Sequence, residues 1–202
     1  MRLKKNKIFL YARLVCFTML FTHCVEMDLF YDSDYFTEEL NAKDSIAVRA
    51  ILDVNGLTGK NVRDVIEIDY GMARKMRLDS FALTRFVITK AFDSCEQDFK
   101  ISITNSVLET LTIIDTVHIN LMLDIHSTKL KNIPDQISLL KGRLGLYLSD
   151  NQLNFISPEI MKCSIRDIDV RNNELCSLPD SLAGWIDKES SQNGWRSAQT
   201  CQ

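Results

Sequence analysis

The sequence predicts an α/β solenoid. Short parallel strands line a concave face, the convex side is irregular or 3-10, a helix and hairpin close the front, and a helix closes the back. Three observations carry this expectation. An aliphatic pattern recurs five times at intervals of twenty-odd residues, a helix-spaced stretch ending in glycine precedes it, and a proline-started helical stretch follows it.

In chain order, residues 1–24 come first. Arg2, Lys4, Lys5 and Lys7 precede an apolar stretch from Ile8 to Phe21 that Arg13 interrupts. If the basic region runs to Arg13, the apolar core Leu14 to Phe21 suits a signal peptide and falls short of the roughly twenty residues of a membrane span. An uncleaved anchor or a buried N-terminal helix are the alternatives. Cys24 stands where a lipoprotein carries its lipid, but His23 departs from the small residue such sites have before the cysteine. Ordinary cleavage near Cys24, with Thr22 at minus three, fits equally well, so a lipidated and a soluble mature form both stand.

Residues 25–40 carry Glu26, Asp28, Asp32, Asp34, Glu38 and Glu39 with no Lys or Arg, interleaved with Phe30, Tyr31, Tyr35 and Phe36. Like charges this dense resist compaction, which reads as a solvated tether. Aromatics that dock on a partner are the other reading.

The main domain spans 41–202. Its front cap, 41–72, opens with Ile46, Ala47, Ala50, Ile51 and Val54 at helical spacing, stopped at Gly56. Val65 to Ile68 reads as a strand, which Tyr70-Gly71 turns into the first repeat.

The repeats occupy about 73–180. Leu146, Leu148, Asn151, Leu153 and Ile156 match Ile168, Val170, Asn173, Leu175 and Leu178 at an offset of twenty-two residues. Stepping back gives Leu123, Ile125, Thr128, Leu130 and Ile133, then Ile101, Ile103, Ser106, Leu108 and Leu111. The most degenerate copy is Met76, Leu78, Phe81, Leu83 and Phe86. This resembles the L-x-L-x-x-N-x-L pattern of leucine-rich repeats, with Pro134 and Pro179 in the following L-P step. Two inward residues flank one outward residue on each short strand. No copy can bury its own apolar face, so neighbours must stack. The structural asparagines Asn151 and Asn173 satisfy backbone groups that the turn leaves unpaired. Ser106 and Thr128 supply part of that bonding and Phe81 none, so the early copies should be the less regular.

The back cap, 180–202, starts a helix at Pro179-Asp180 with Leu182, Trp185 and Ile186 on one face, and Trp195 and Cys201 close the chain. The run D-S-x-A-V-x-A-I-L from Asp44 precedes the repeats. L-C-S-L-P-D-S-L-x-x-W-I-D from Leu175 and W-R-x-x-Q-T-C from Trp195 follow them. Together they resemble secreted bacterial leucine-rich-repeat proteins over roughly 41–202. The resemblance implies a capped binding domain with no catalytic residues, and the eroded early copies depart from it.

Of six cysteines, Cys16 and Cys24 fall in the leader, leaving four residues and three pairings. In an exported chain Cys176 with Cys201 would staple the back cap to the last repeat, a stabilisation of roughly 3 kcal/mol. Cys95 and Cys163 sit at equivalent positions several copies apart and read as buried thiols.

Function is expected on the concave face, where a monomer would bind a protein or peptide. One outward column is Arg77, Ser102, Asp124, Tyr147 and Asp169. The next is Asp79, Thr104, His126, Ser149 and Arg171. Binding is assigned to Arg77, Asp124, His126, Tyr147, Asp169 and Arg171, with Tyr147 as the anchor. A surface-display role without a ligand is the alternative. A net charge of -3 offers no basic surface for nucleic acid. His118 and His126 are the histidines outside the leader, and Asp124-Ile125-His126 places a carboxylate and an imidazole on one strand face. No phosphate-binding, nucleophile-elbow or zinc-ligand motif is present, so no catalysis, cofactor or metal is expected.

Overall fold

The computed structural model describes residues 39–95 and 98–201. The leader over 1–24, Cys24 included, and the acidic stretch up to Glu38 lie outside those residues.

Helix α1 (Ala42–Val54) begins where the Asn41 side chain accepts the Asp44 N–H at 2.9 Å, and it stops at Asn55 before Gly56 at φ +72°. The expected buried stripe is corrected in part. Ala47 and Ile51 are buried, but Ala50 and Val54 face out, and Ile46 is 72% exposed. The inward stripe is Ala47, Val48, Ile51 and Leu52. Asp44 sets this rotation: it is buried, and its carboxylate accepts the Ala73 N–H at 2.7 Å. A buried carboxylate must keep its partner, so the face around it turns inward.

After the one-turn helix α2 (Val62–Val65), strands β1 (Ile66–Asp69) and β2 (Met72–Arg77) pair antiparallel. Tyr70 and Gly71 both have positive φ, as a two-residue hairpin turn with right-handed twist requires. Four more strands then join β2 in parallel: β4 (Phe99–Ser102), β6 (Leu121–Asp124), β8 (Arg143–Tyr147) and β10 (Ser164–Asp169). The six-stranded sheet runs β1-β2-β4-β6-β8-β10. Its register pairs Met76 with Ile101, Ile101 with Leu123, Leu123 with Leu146 and Leu146 with Ile168, all fully buried. The chain is therefore an α/β protein with a mostly parallel sheet, and the aliphatic positions of successive copies are cross-strand neighbours.

The connections are more ordered than expected. Besides 3-10 helices at Lys90–Ser94, Asp135–Leu139 and Pro158–Lys162, they hold a second set of strands. β3 (Arg85–Ile88) pairs parallel with β5 (Thr110–Ile113), and β7 (Asn132–Ile133) with β9 (Phe155–Ile156). An irregular or 3-10 convex side is thus corrected: β-branched and aromatic residues at Phe86 to Ile88 and Thr110 to Ile113 favour extended backbone there. Ahead of β8, Gly142 passes so close to the Ile119 carbonyl that a Cβ would lie 2.0 Å from its oxygen.

A single left-handed residue follows the extended backbone of each copy: Ser80, Asn105, Ser127, Asp150 and Asn172, all with φ between 49° and 60°. Asn and Asp tolerate this conformation better than other residues with a Cβ. The next residue is the asparagine position. Asn173 is fully buried and donates to the carbonyls of Leu148, Val170 and Arg171 while accepting the Leu153 N–H. Asn151 donates to Ile125, Leu148 and Ser149 carbonyls and accepts from Thr128 and Leu130. Ser106 and Thr128 each accept only one backbone N–H, at Leu108 and Leu130, as their short hydroxyls allow.

Helix α3 (Asp180–Glu189) buries Leu182, Ala183 and Ile186, with Trp185 half-buried. Beyond it the chain replaces the neighbour that the last copy lacks. Gln199 bonds both the Leu175 N–H and the Val170 carbonyl, Thr200 bonds the Asn173 carbonyl, and Asn172 donates to Ala198. A disulfide joins Cys176 to Cys201 across this seam, with Cα atoms 5.6 Å apart. Cys95 and Cys163 are free thiols, each ending a 3-10 helix at the equivalent place. Burial pushes the Cys95 thiol up to about 12, helped by the nearby Asp44 carboxylate. Among the described residues no helix is long and apolar enough to cross a membrane.

Candidate functional site

Alternation along a strand sends every second side chain to the outer face, and parallel pairing stacks those side chains into columns. The first expected column is in register across the sheet, and within the two columns Ser102, Thr104 and Asp169 are buried. Arg77, Ser102, Asp124, Tyr147 and Asp169 are successive Cα partners. Asp79, Thr104, His126, Ser149 and Arg171 continue beyond the strand ends. There the Ser80, Ser127 and Asp150 N–H groups bond the Thr104, Ser149 and Arg171 carbonyls.

The charges on this face are largely matched to one another. Lys100 Nζ lies 2.7 Å from Asp124, Arg77 pairs with Glu67, and Arg171 bonds Asp169 through Nε at 2.9 Å and Nη2 at 2.7 Å. Burial would raise the Asp169 carboxyl, but the Arg171 side chain and backbone N–H outweigh it and hold the group below its ordinary value. Asp79 accepts from Ser102 Oγ at 3.2 Å, Thr104 N at 3.1 Å and Thr104 Oγ1 at 2.8 Å, which ties the first copy to the second. The Tyr147 phenol is raised by burial, then by the charge of Asp167 and the hydrogen bond it gives that carboxylate. Tyr147 is thus a positioned ring with its hydroxyl engaged and its face partly open.

The Asp124 and His126 side chains approach each other without a hydrogen bond. His126 Nε2 is 3.7 Å from Asp124 Oδ1, and the other oxygen of that carboxylate is taken by Lys100. The remaining described histidine, His118, is 68% exposed and sits on Asp93, with Nδ1 3.0 Å from the carboxylate. Burial would raise the Asp93 carboxyl, yet the His118 ring and the backbone N–H groups of His118 and Ile119 lower it. That contact joins two turns of chain. Among the described residues no cluster of three or more His, Cys, Asp or Glu side chains could hold a metal ion.

Two outward columns lie upstream of the expected ones. Lys75, Lys100, Met122, Gly145 and Asp167 form the first, and Asp98, Asn120, Arg143 and Ser164 continue the same parity. Counting back by two from the L-x-L core would have found them. The repeat pattern hides them, because it marks only the last part of each strand. In the upstream columns Gly145 leaves a notch of about 50 Å³ bordered by Leu121, Met122, Arg143 and Arg166. Asn120 ties three strands here, donating to Asp98 at 3.0 Å and accepting the Arg143 N–H at 2.8 Å.

A more open cleft lies elsewhere. About 780 Å³ opens between the end of α1 and residues 79–85, lined by Val54, Leu57, Lys60, Phe81, Leu83 and Arg85 among others. Lys60 Nζ stands 4.9 Å from the centre of the Phe81 ring, a cation–π contact at its rim. Phe81, which fills the asparagine position of the first copy, therefore faces this cleft as well as the core. No protein family, curated protein or solved structure matches this chain.

Proposed function

We propose that the chain is an exported, non-catalytic leucine-rich-repeat module, a monomeric solenoid that binds a protein or peptide through its sheet face. One observation carries the reading. The outward residues of five parallel strands stand in straight columns of mixed charge, with a tyrosine ring near the centre. Such a face spans roughly 20–25 Å at about 4.8 Å per strand, which suits an extended peptide or a small protein face. Tyr concentrates binding energy because it buries much area for little lost freedom, and Arg because its planar fork makes several directed hydrogen bonds at once. The buried asparagines, the capped ends and the disulfide, which fits an oxidising compartment, support the repeat assignment and export.

A second reading, a surface-display protein without a specific ligand, is favoured by the internal pairing of Lys100 with Asp124 and Arg171 with Asp169. Selection from a random peptide library on the wild-type protein separates the two. Selected peptides should lose binding to a folded Tyr147→Ala/Arg171→Ala variant. Peptides that hold both proteins equally would remove the sheet face as the site, and a library yielding no binder would favour display.

A further inference from the structure

We infer that the Gly145 notch is a carboxylate subsite on this face and that the partner is an acidic peptide, an Asp or Glu side chain of which seats there. The inference rests on the peptide-binding reading above. Three observations point to it. First, Arg143 and Arg166 both border the notch, and neither has an ion-pair partner among the described residues, whereas Lys100 beside them is held by Asp124. Two guanidinium groups bordering one notch offer the forked donors that a carboxylate accepts. Second, the bulge in β10 between Ile165 and Asp167 adds Arg166 as an extra residue, so two arginines flank a space where strict alternation would leave one.

Third, the space is the right size for a small group. Gly145 has no side chain, and the notch of about 50 Å³ is walled by Met122 and Leu121. A Cβ at Gly145 would stand 3.5 Å from the Tyr147 ring and 3.6 Å from Met122 Cγ, which is ordinary contact. Alanine would therefore fold there and narrow the notch. The low-polarity wall strengthens a charge-assisted bond made against it. Asp98 borders the far rim, and its carboxylate already accepts from Asn120. Its charge opposes the ligand, so its removal should tighten binding.

The test is a titration of the full chain, followed by amide and arginine Nε–H resonances. The probe is the peptide Ac-Ala-Glu-Phe-NH2, with Ac-Ala-Gln-Phe-NH2, Ac-Ala-Phe carrying a free C-terminal carboxylate, and inorganic phosphate as separate arms. The Glu peptide should give saturable shifts at Met122, Gly145 and the Arg143 and Arg166 side chains. The Gln peptide, and the Arg143→Gln or Arg166→Gln variants, should bind roughly tenfold more weakly. Gly145→Ala should weaken binding and Asp98→Asn strengthen it, both with an unchanged fold. Equal binding of Gln and Glu peptides overturns the inference. So does phosphate or the C-terminal carboxylate binding more tightly, which would make this a site for another anion. Library-selected peptides that lack acidic residues and ignore Arg143→Gln would sink the carboxylate subsite while leaving the sheet-face reading intact. A library without binders would remove both.

Discussion

The first and last copies of the repeated pattern solve one packing problem with different chemistry. In the late copies the turn after the strand is pinned by a buried amide, Asn151 or Asn173, that reaches backbone groups on two neighbouring stretches of chain. In the first copy that position is Phe81, which has no hydrogen bond to give. There Asp79 binds Ser102 and Thr104 from the outer face, and three phenylalanines, Phe86, Phe92 and Phe99, are fully buried in the interior. Phe92 and Phe99 meet edge to face at 5.7 Å. In the late half the corresponding volume is aliphatic, and Phe155 is 48% exposed. The same backbone path can thus be held by directional bonds or by aromatic volume.

The comparison predicts opposite sensitivities. Phe92→Ala should cost about 4 kcal/mol, because a large ring leaves a cavity that the packed surroundings cannot close. Next comes Asn173→Ala at about 2–3 kcal/mol, since it strands the buried Leu153 N–H and takes one of two donors from each of the Leu148, Val170 and Arg171 carbonyls. Ser106→Ala, at the same position of an early copy, should cost less than about 1 kcal/mol. Urea midpoints of the three variants check this. If Ser106→Ala matches Asn173→Ala, the early turns depend on the hydroxyl and the contrast collapses.

Much of this contrast was legible in the sequence. Periodicity located the paired strand aliphatics from Met76 and Leu78 to Ile168 and Val170, all buried, and the lost asparagines at Phe81, Ser106 and Thr128 marked the eroded copies. The capping pattern also placed α3 and the disulfide. Three things were not legible. The rotation of α1 was misread, because Ile46 and Val54 look apolar while the residue that fixes the inward face is the acid Asp44. The strand pairs β3–β5 and β7–β9 hold the last apolar position of each copy, Phe86 beside Leu111 and Ile133 beside Ile156, but one apolar residue per copy does not show that the backbone around it is extended and paired. On the candidate site, the named columns lie where alternation puts them, but the partnerships that neutralise Asp124 and Asp169 depend on side-chain reach. Asp98 and Arg143 were missed because they precede the recurring motif. The left-handed residues could have been found, since Asn105, Asp150 and Asn172 directly precede the asparagine position in three copies.

The two ends sharpen the comparison further. The front cap is held by side-chain-to-backbone hydrogen bonds at Asp44 and Asn41, the back cap by a covalent clasp over twenty-five residues. Cys201→Ser should lower stability by about 3 kcal/mol, provided the unfolded chain gains the loop entropy that the bond removes. Loss should begin at the back, so hydrogen exchange at Leu175 and Asn172 should rise before exchange at Ala73 does. Uniform acceleration would show that the two caps fold as one unit. The free thiols divide along the same axis. With the Cys95 thiol pushed up to about 12 and Cys163 raised less by its partial burial, alkylation of the native protein at pH 8 should mark Cys163 first. Peptide mapping that finds Cys95 labelled equally fast would show that the front core opens readily.

The smallest expected effect is a pH dependence carried by Asp169 in the last strand of the sheet. Arg171 keeps the Asp169 carboxyl below its ordinary value despite burial, so the folded state binds that proton less readily than the unfolded chain does. Its contribution is complete above the unfolded value near 4 and is lost as pH falls through the folded value. Arg171→Gln removes the opposing charge while burial remains, which lifts the carboxyl. Wild type should therefore be the more stable protein at pH 7, and its advantage should shrink steadily as pH drops below about 4. Asp79 is held by hydroxyls and an N–H of Ser102 and Thr104, so Thr104→Val should cost about the same stability in wild type and in Arg171→Gln. Urea midpoints across pH 2.5 to 7 decide the matter. A constant gap between wild type and Arg171→Gln would mean that the guanidinium acts by packing alone and that Asp169 draws nothing from its charge.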